Sequence, residues 1–318
     1  MKSLESSVRT LILFVAAIFL VSMPLLIENY WLHYLNLSII FAMVTSSWNV
    51  TIGFGKIFNF AHPVFFGVGS YTYAILTTRF GLFTPLSIFL GGVLASIASG
   101  LVYAPVAKVR GIYVSLITFA VSQLFIVLII SQGDFTGGTS GLVGVPSLSI
   151  GKYSVESKAS FYFVALIALV FSTLAMRWYV RSKFGLALIA SSVYEDYAQS
   201  RGVSIGQTRL VSFLISSFPA GIAGGLYSSY LTMASIEIVS FSFATVLLTM
   251  VLVGGTGSIY GPILGAVSLI ALTESLSGIG LIRFILVAVL MAGTVLLAPK
   301  GLWGGLIYVL SKLGLKKI

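Results

Sequence analysis

The 318-residue chain has no cysteine and few charges: Lys and Arg total 18, Asp and Glu only 8. Without thiols there is neither a disulfide framework nor a thiolate metal site. A charged fraction of 8% cannot cover the surface of a soluble globular domain of this length. The GxxxxGK[ST] phosphate-binding loop is also missing, so the chain carries no ATPase site of that kind. These absences point away from a soluble enzyme.

Hydrophobic residues make up 58% of the chain and the mean hydropathy is +1.08. Apolar runs of about 20 residues, enough to cross roughly 30 Å of hydrocarbon, recur along the whole length. The class is an all-α polytopic membrane protein, a single transmembrane domain over 1–318. Spans are expected near 10–27, 32–51, 60–78, 85–105, 112–132, 159–178, 209–231, 241–255, 262–276 and 283–299. The first is longer than a signal-peptide core and lacks a small-residue cleavage pattern, so it reads as a retained span.

The net charge of +10 does not point to nucleic acid, because the bases gather at span ends. Lys2, Arg9, Lys56, Lys108, Arg110, the Arg177–Arg209 group and Lys300–Lys317 fall on one side when there are about ten crossings. That puts both termini in the cytoplasm. Eight crossings plus re-entrant segments is the rival, since 60–78 and 241–276 are short and glycine-rich.

Two glycine-broken places stand out. One holds Gly53 and Gly55, then Asn59, His62, Pro63, Gly67 and Gly69; the other holds Gly254, Gly255, Gly257 and Gly261. Interrupted spans mark transport pathways, because broken backbone must be buried in protein or line a wet cavity. Glycine that merely lets helices pack closely is the alternative. Polar residues falling within spans give the pathway candidates Asn49, Thr51, Asn59, His62, Ser70, Thr72, Gln123 and Glu274.

The polar island from Arg177 to Arg209 contains a helix of its own over 184–198, with an apolar face at Leu186, Ile189, Ala190, Val193 and Tyr197. Gly202 sits where that helix would end. Glu195 and Asp196 are repelled by anionic headgroups, which favours docking on protein over lying on lipid. The loop 132–158 is much longer than an ordinary connection.

Residues 47–71, opening Ser47-Trp48-Asn49 and running through Gly53-Phe54-Gly55 and Asn59-Phe60-Ala61-His62, resemble the opening signature of permease subunits of branched-chain amino-acid ABC importers, in the LivM-like branch. Lys108–Thr118, Thr136–Leu142, Arg181–Gly202, Gly221–Tyr227, Gly254–Gly265 and Pro299–Leu302 match further family elements in the family's order. The chain departs from the pattern at Pro63, Ser70, Ser191, Ser192 and Tyr194.

The resemblance implies a permease that hydrolyses no ATP itself. Its partners would be two cytoplasmic ABC ATPase subunits that bind the ATP, a second related permease and an extracytoplasmic substrate-binding protein, in a prokaryotic cell membrane. It also implies that 181–208 is the ATPase-coupling segment, acting through Leu186, Ile189, Val193, Glu195, Asp196, Ala198 and Gly202, with the two acids meeting bases on the ATPase. The loop 132–158 would face the binding protein. Substrates would be branched-chain or related small neutral amino acids; urea, amides and other small solutes are the alternatives.

Two other classes compete. Gly138-Thr139-Ser140-Gly141 has the form of an intramembrane serine protease motif, with His33 or His62 as base, but such a pair needs hydrogen-bond reach. A secondary transporter needs carboxylates near the bilayer midplane, and the acids here fall near span ends or in loops.

Overall fold

A computed structural model describes residues 21–24, 26–151, 153–279 and 301–312, with isolated positions between 282 and 293. The spans expected at 10–27 and 283–299 lie largely outside these residues, as do Arg283 and Pro299-Lys300. Eleven α-helices of six residues or more organise the described chain: α1 (Asn29–Asn49), α2 (His62–Phe80), α3 (Thr84–Val106), α4 (Ile112–Ser131), α5 (Lys158–Arg181), α6 (Lys183–Val193), α7 (Glu195–Ser200), α8 (Ile205–Leu231), α9 (Phe241–Gly254), α10 (Gly261–Ser275) and α11 (Gly301–Lys312). Proline sits in the first turn of α2, α3 and α10, where its missing N–H costs nothing and its fixed φ suits the helix.

Among the described residues, five helices are long and apolar enough to cross a membrane: Asn29–Phe54, Thr84–Val106, Ile112–Ser131, Lys158–Arg181 and Ile205–Leu231. The protein is therefore a multi-pass helical membrane protein. The segments expected as spans at 241–255 and 262–276 form helices of only 14 and 15 residues. At 1.5 Å per residue each is roughly 21–23 Å long, short of the hydrocarbon thickness. The chain enters α9 through the short strand Met233–Ala234 and a 3₁₀ turn at Ile236–Val239, not through more α-helix. That turn lies against α2, where Val239 occupies the space a Cβ on Gly67 would need.

α8 is the hub, packed on α2, α3 and α1; α1 in turn packs on α5 and α10, and α9 on α10. Lipid tails are as apolar as leucine, so close packing and interhelical hydrogen bonds hold such helices together. Both devices are present. A Cβ on Gly69 would overlap the carbonyl oxygen of Gly221, and one on Gly224 would overlap that of Phe66. Beside these contacts, Ser70 and Ser228 share a 2.5 Å bond, Ser217 donates to Ser99 at 2.8 Å, and Ser96 donates to the Leu214 carbonyl at 2.9 Å.

The loop expected over 132–158 is folded. Leu142–Val143 pairs antiparallel with Met233–Ala234, and Ser149–Ile150 pairs with Tyr153–Ser154 as a small hairpin. Tyr73 donates to the Pro146 carbonyl at 2.8 Å, and Thr84 both donates to the Ser149 carbonyl (2.7 Å) and accepts from its N–H (2.8 Å). The Arg79 guanidinium bonds the Asp134 carbonyl and stands over the Phe135 ring. The loop thus caps the end of the bundle where α2 stops and α3 starts.

Candidate coupling and translocation site

The opposite end of the bundle holds the broken backbone. α1 passes into a π-helix over Val50–Phe54, a form that is rare and concentrated at functional positions. From Gly55 to Ala61 the chain is not helical, and Lys56 takes φ +51, an uncommon angle for a side-chain-bearing residue. Backbone of this kind needs partners inside a membrane protein. The Ile57 N–H reaches the Thr51 carbonyl (2.8 Å), Trp48 Nε1 donates to the Asn59 carbonyl (2.8 Å), and Asn59 Oδ1 accepts from the Ala61 N–H (2.9 Å). Two more bonds come from α4: Ser115 Oγ donates to the Phe58 carbonyl (3.0 Å), and Thr118 Oγ1 accepts from the Phe60 N–H (3.0 Å).

The two glycine breaks, about 200 residues apart in sequence, meet in space through Asn49. Its Nδ2 donates to the Ser258 carbonyl (2.7 Å) and its Oδ1 accepts from the Gly257 N–H (3.1 Å). The backbone pair requires close approach, and a Cβ on Gly53 would overlap Asn49 Oδ1 and crowd the Gly257 nitrogen. On the far side, Gly301 at the head of α11 closes on Gly254 and Gly255. Asn49→Ala therefore leaves two backbone groups without partners and should destabilise the protein by about 2–4 kcal/mol, taking each orphan at the low end of its desolvation cost. A thermal melt of the purified variant in detergent checks this; an unshifted midpoint would show that water replaces the amide.

The segment 181–208, expected to couple to an ATPase, lies against this break. Ser182 caps α6, its Oγ accepting from the Gly185 N–H at 3.3 Å. The helix expected over 184–198 is two: α6 ends at Val193, and Tyr194, with φ −141° and ψ 92°, turns the chain into α7. Gly185, Leu188 and Ser191 face inward, and Leu188 reaches to 3.0 Å of where a Cβ on Gly55 would stand. Leu186, Ala190, Val193 and Tyr197 of the expected apolar face are exposed, as are Phe184 and Tyr194, while Ile189 is half-buried. Ala198 is buried against the chain itself, and Gly202 takes φ +84 as α7 ends. The sequence pattern did not show which apolar side chains pack inward.

Glu195 is paired within its own chain. Its side chain is only 20% exposed and its carboxylate is held by two arginines of its own chain. Arg209 of α8 donates to Oε2 at 2.8 Å, and Arg110, just before α4, brings Nε to 3.2 Å of Oε1. Asp196 is 95% exposed and lies 3.8 Å from Arg110. Of the two acids, Asp196 is the one open to an outside base.

Asn49, Thr51, Asn59, His62 and Ser70 are fully buried, and the hydrogen bonds they make are to the protein's own groups. His62 stacks on Trp48 with ring centres 5.5 Å apart, and its Nε2 lies 3.1 Å from Ser47 Oγ. Thr72 is half-buried and borders an apolar cleft between α2, α3 and α4; Gln123 is half-buried on α4. Glu274 accepts from Tyr30 Oη at the capped end. His62 opens α2 and Ser140 lies in the loop capping that helix's other end, while His33 Nδ1 is bonded to Tyr230 Oη (2.9 Å), so neither histidine serves Ser140 as a base. Among the described residues no His, Cys, Asp and Glu group could hold a metal. Sequence reasoning missed α4 as the element that satisfies the broken segment; the hint was Ser115, Thr118 and Ser122, spaced three and four apart on an otherwise apolar helix.

Residues 30–299 match the family model for the permease component of branched-chain amino acid transport systems. The chain is 25% identical to the high-affinity branched-chain amino acid transport system permease protein LivM of Escherichia coli, over 93% of its own length and 76% of that protein's. It is 26% identical to a probable branched-chain amino acid transport permease protein LivH of Methanocaldococcus jannaschii, over 77% of its length and 82% of the relative's. No solved structure matches it. With that model matched over most of its length, a stretch that takes in the glycine breaks, the folded cap and the amphipathic segment, the chain belongs to the family of branched-chain amino acid transport system permease components.

Proposed function

We propose that this permease forms the translocation path for branched-chain or related small neutral amino acids in an ATP-driven importer. Two cytoplasmic ATPase subunits would supply the energy and hold the ATP; a second, related permease completes the membrane part, and an extracytoplasmic binding protein delivers the substrate. The observation that carries this reading is the α6–α7 segment. It presents exposed Leu186, Val193 and Tyr197 outward, while its inner face, through Leu188, rests on the break at Gly55. A short helix pair of this kind transmits a push from a docked partner directly to irregular backbone in the bundle.

The importer works by alternating access. Closure of the ATPases on ATP moves α6–α7, and the breaks at Gly53–Gly55 and Gly254–Gly261, joined by Asn49, shift as one unit to change which side of the membrane the path opens to. The capping loop 132–158 faces the binding protein. Both termini are cytoplasmic, in a prokaryotic cell membrane crossed about ten times. Supporting that orientation, Lys56, Lys108, Arg110, Arg177, Arg181, Lys183, Arg201 and Arg209 belong to the break and coupling end, as the positive-inside rule requires.

Purification from native membranes in mild detergent, with mass spectrometry of the associated proteins, tests the assembly. ATP-binding subunits and a second permease are expected, with ATP hydrolysis stimulated by the binding protein loaded with a branched-chain amino acid. A stable, cross-linked preparation without any ATPase would contradict the reading.

A further inference from the structure

The charged cluster at Glu195 and the hydroxyl stripe on α4 meet at one end of α4. Arg110 precedes α4 by a single residue, Gly111 at φ +60, and reaches Glu195 on α7. Ser115 and Thr118, on the first two turns of α4, hold the carbonyl of Phe58 and the N–H of Phe60. Phe119 packs edge-on against Phe241 at the start of α9, with ring centres 5.3 Å apart. From the coupling segment the contacts run unbroken through Arg110 and α4 to the broken backbone.

α4 is held to the bundle along one narrow face. Of its residues only Val114, Thr118, Ser122 and Ile129 are buried, so a narrow stripe secures it. Towards its far end it stands off from α2 and α3, leaving an apolar cleft of 380 Å³ bordered by Tyr71, Thr72, Phe125, Leu128 and Ile129. Interiors are normally packed without such space; Thr136 Oγ1 on the Ile129 carbonyl (2.6 Å) anchors the end of α4 to the cap, and the cleft beside it leaves the helix room to tilt.

We propose that Arg110 is a positioning residue for transport: it couples the α6–α7 segment to α4, which tilts as a lever and carries the Phe58–Phe60 backbone with it while its far half closes on the cleft. The inference rests on the docking of α6–α7 by an ATPase. Leu188 pressing on Gly55 is the short route from the docked segment to the break; the Arg110 route adds control of the segment that follows Gly55. Because Arg110 is largely exposed and Arg209 keeps Glu195 paired without it, the residue is dispensable for the fold.

The test uses the whole importer, ATPases and second permease included, reconstituted in vesicles with the binding protein supplied. Subunit recovery, ATP hydrolysis and solute taken up per ATP are read for Arg110→Ala, Arg110→Lys, Thr118→Val and the double variant Arg110→Ala/Thr118→Val. The expected result is intact assembly and continued hydrolysis in all four. Uptake per ATP should fall about tenfold in Arg110→Ala and in Thr118→Val, recover in Arg110→Lys, and fall no further in the double variant, since both changes cut one path. An unchanged uptake per ATP in Arg110→Ala overturns the lever while leaving the docking intact. Losses that multiply in the double variant also overturn it, because the two residues would then act independently. If the unaltered chain recovers no ATPase subunit, the docking itself is wrong and the lever falls with it.

Discussion

Gly224→Val should remove the folded protein from the membrane. A side chain there would drive into the Phe66 carbonyl oxygen and crowd the Ser70 nitrogen, both backbone atoms of α2. Backbone cannot swing aside as a rotamer does, so α8 and α2 would have to separate. The separation would break the Ser70–Ser228 bond and loosen the neighbouring contacts of Gly69 with Gly221 and of Gly221 with Gly91. Overpacking a fitted core costs about 1–3 kcal/mol, occasionally more; an interhelical hydrogen bond adds about 0.6 kcal/mol. Together these come to about 2–4 kcal/mol, more where the helices cannot separate, against a typical domain stability of about 5–15 kcal/mol. Gly202→Ala is the control, because a Cβ there meets nothing and only the backbone angle at φ +84 is strained. Size-exclusion profiles of fluorescently tagged variants separate the outcomes: Gly224→Val should shift to aggregate or vanish, while Gly202→Ala keeps the peak of the unaltered protein. A monodisperse Gly224→Val peak with an unchanged melting point would show that α2 and α8 are not in backbone contact.

The double variant Leu186→Asp/Val193→Asp should abolish uptake with the fold intact. Both side chains are more than half exposed in the isolated chain, so charging them leaves the bundle alone. In a docked complex they would enter an apolar groove, where a carboxylate without a partner is strongly disfavoured. Central interface positions of this kind are worth about 2 kcal/mol or more each, so ATPase affinity should fall by at least about 100-fold. Co-purification of the ATPase, compared with the variant's own melting curve, checks this. Full retention of the ATPase would mean that α6–α7 faces something else.

Much of the architecture was legible in the sequence because its signals are local. Apolar runs, the lean towards bases on one side, and the clusters around Gly53 and Gly255 each sit within a few residues. The amphipathic segment was visible for the same reason, and its end at Gly202 agrees with the left-handed angle found there. What stayed hidden depends on partners distant in sequence. Asn49 reads as a polar residue within a span, a pathway candidate; its bonds to Gly257 and Ser258 come from the opposite half of the chain. Glu195 reads as a solvent-facing acid until Arg209 and Arg110 are brought around it. Leu186 and Leu188 are the same residue type two positions apart, and only the packing of α6 on Gly55 decides that one is exposed and the other buried. The length of 241–276 suggested two short spans or a re-entrant pair; the extended and 3₁₀ approach to α9 has no hydropathy signature.

The central claim is that α6–α7 is where ATP-driven motion enters this permease. A photoreactive phenylalanine analogue placed at Val193, in a transport-competent complex in native membranes, tests it most directly, with Tyr153 in the capping loop as the control position. An adduct with an ATPase subunit is expected from position 193, and none from position 153. An active complex in which position 193 labels only lipid, or labels no ATPase at all, would contradict it.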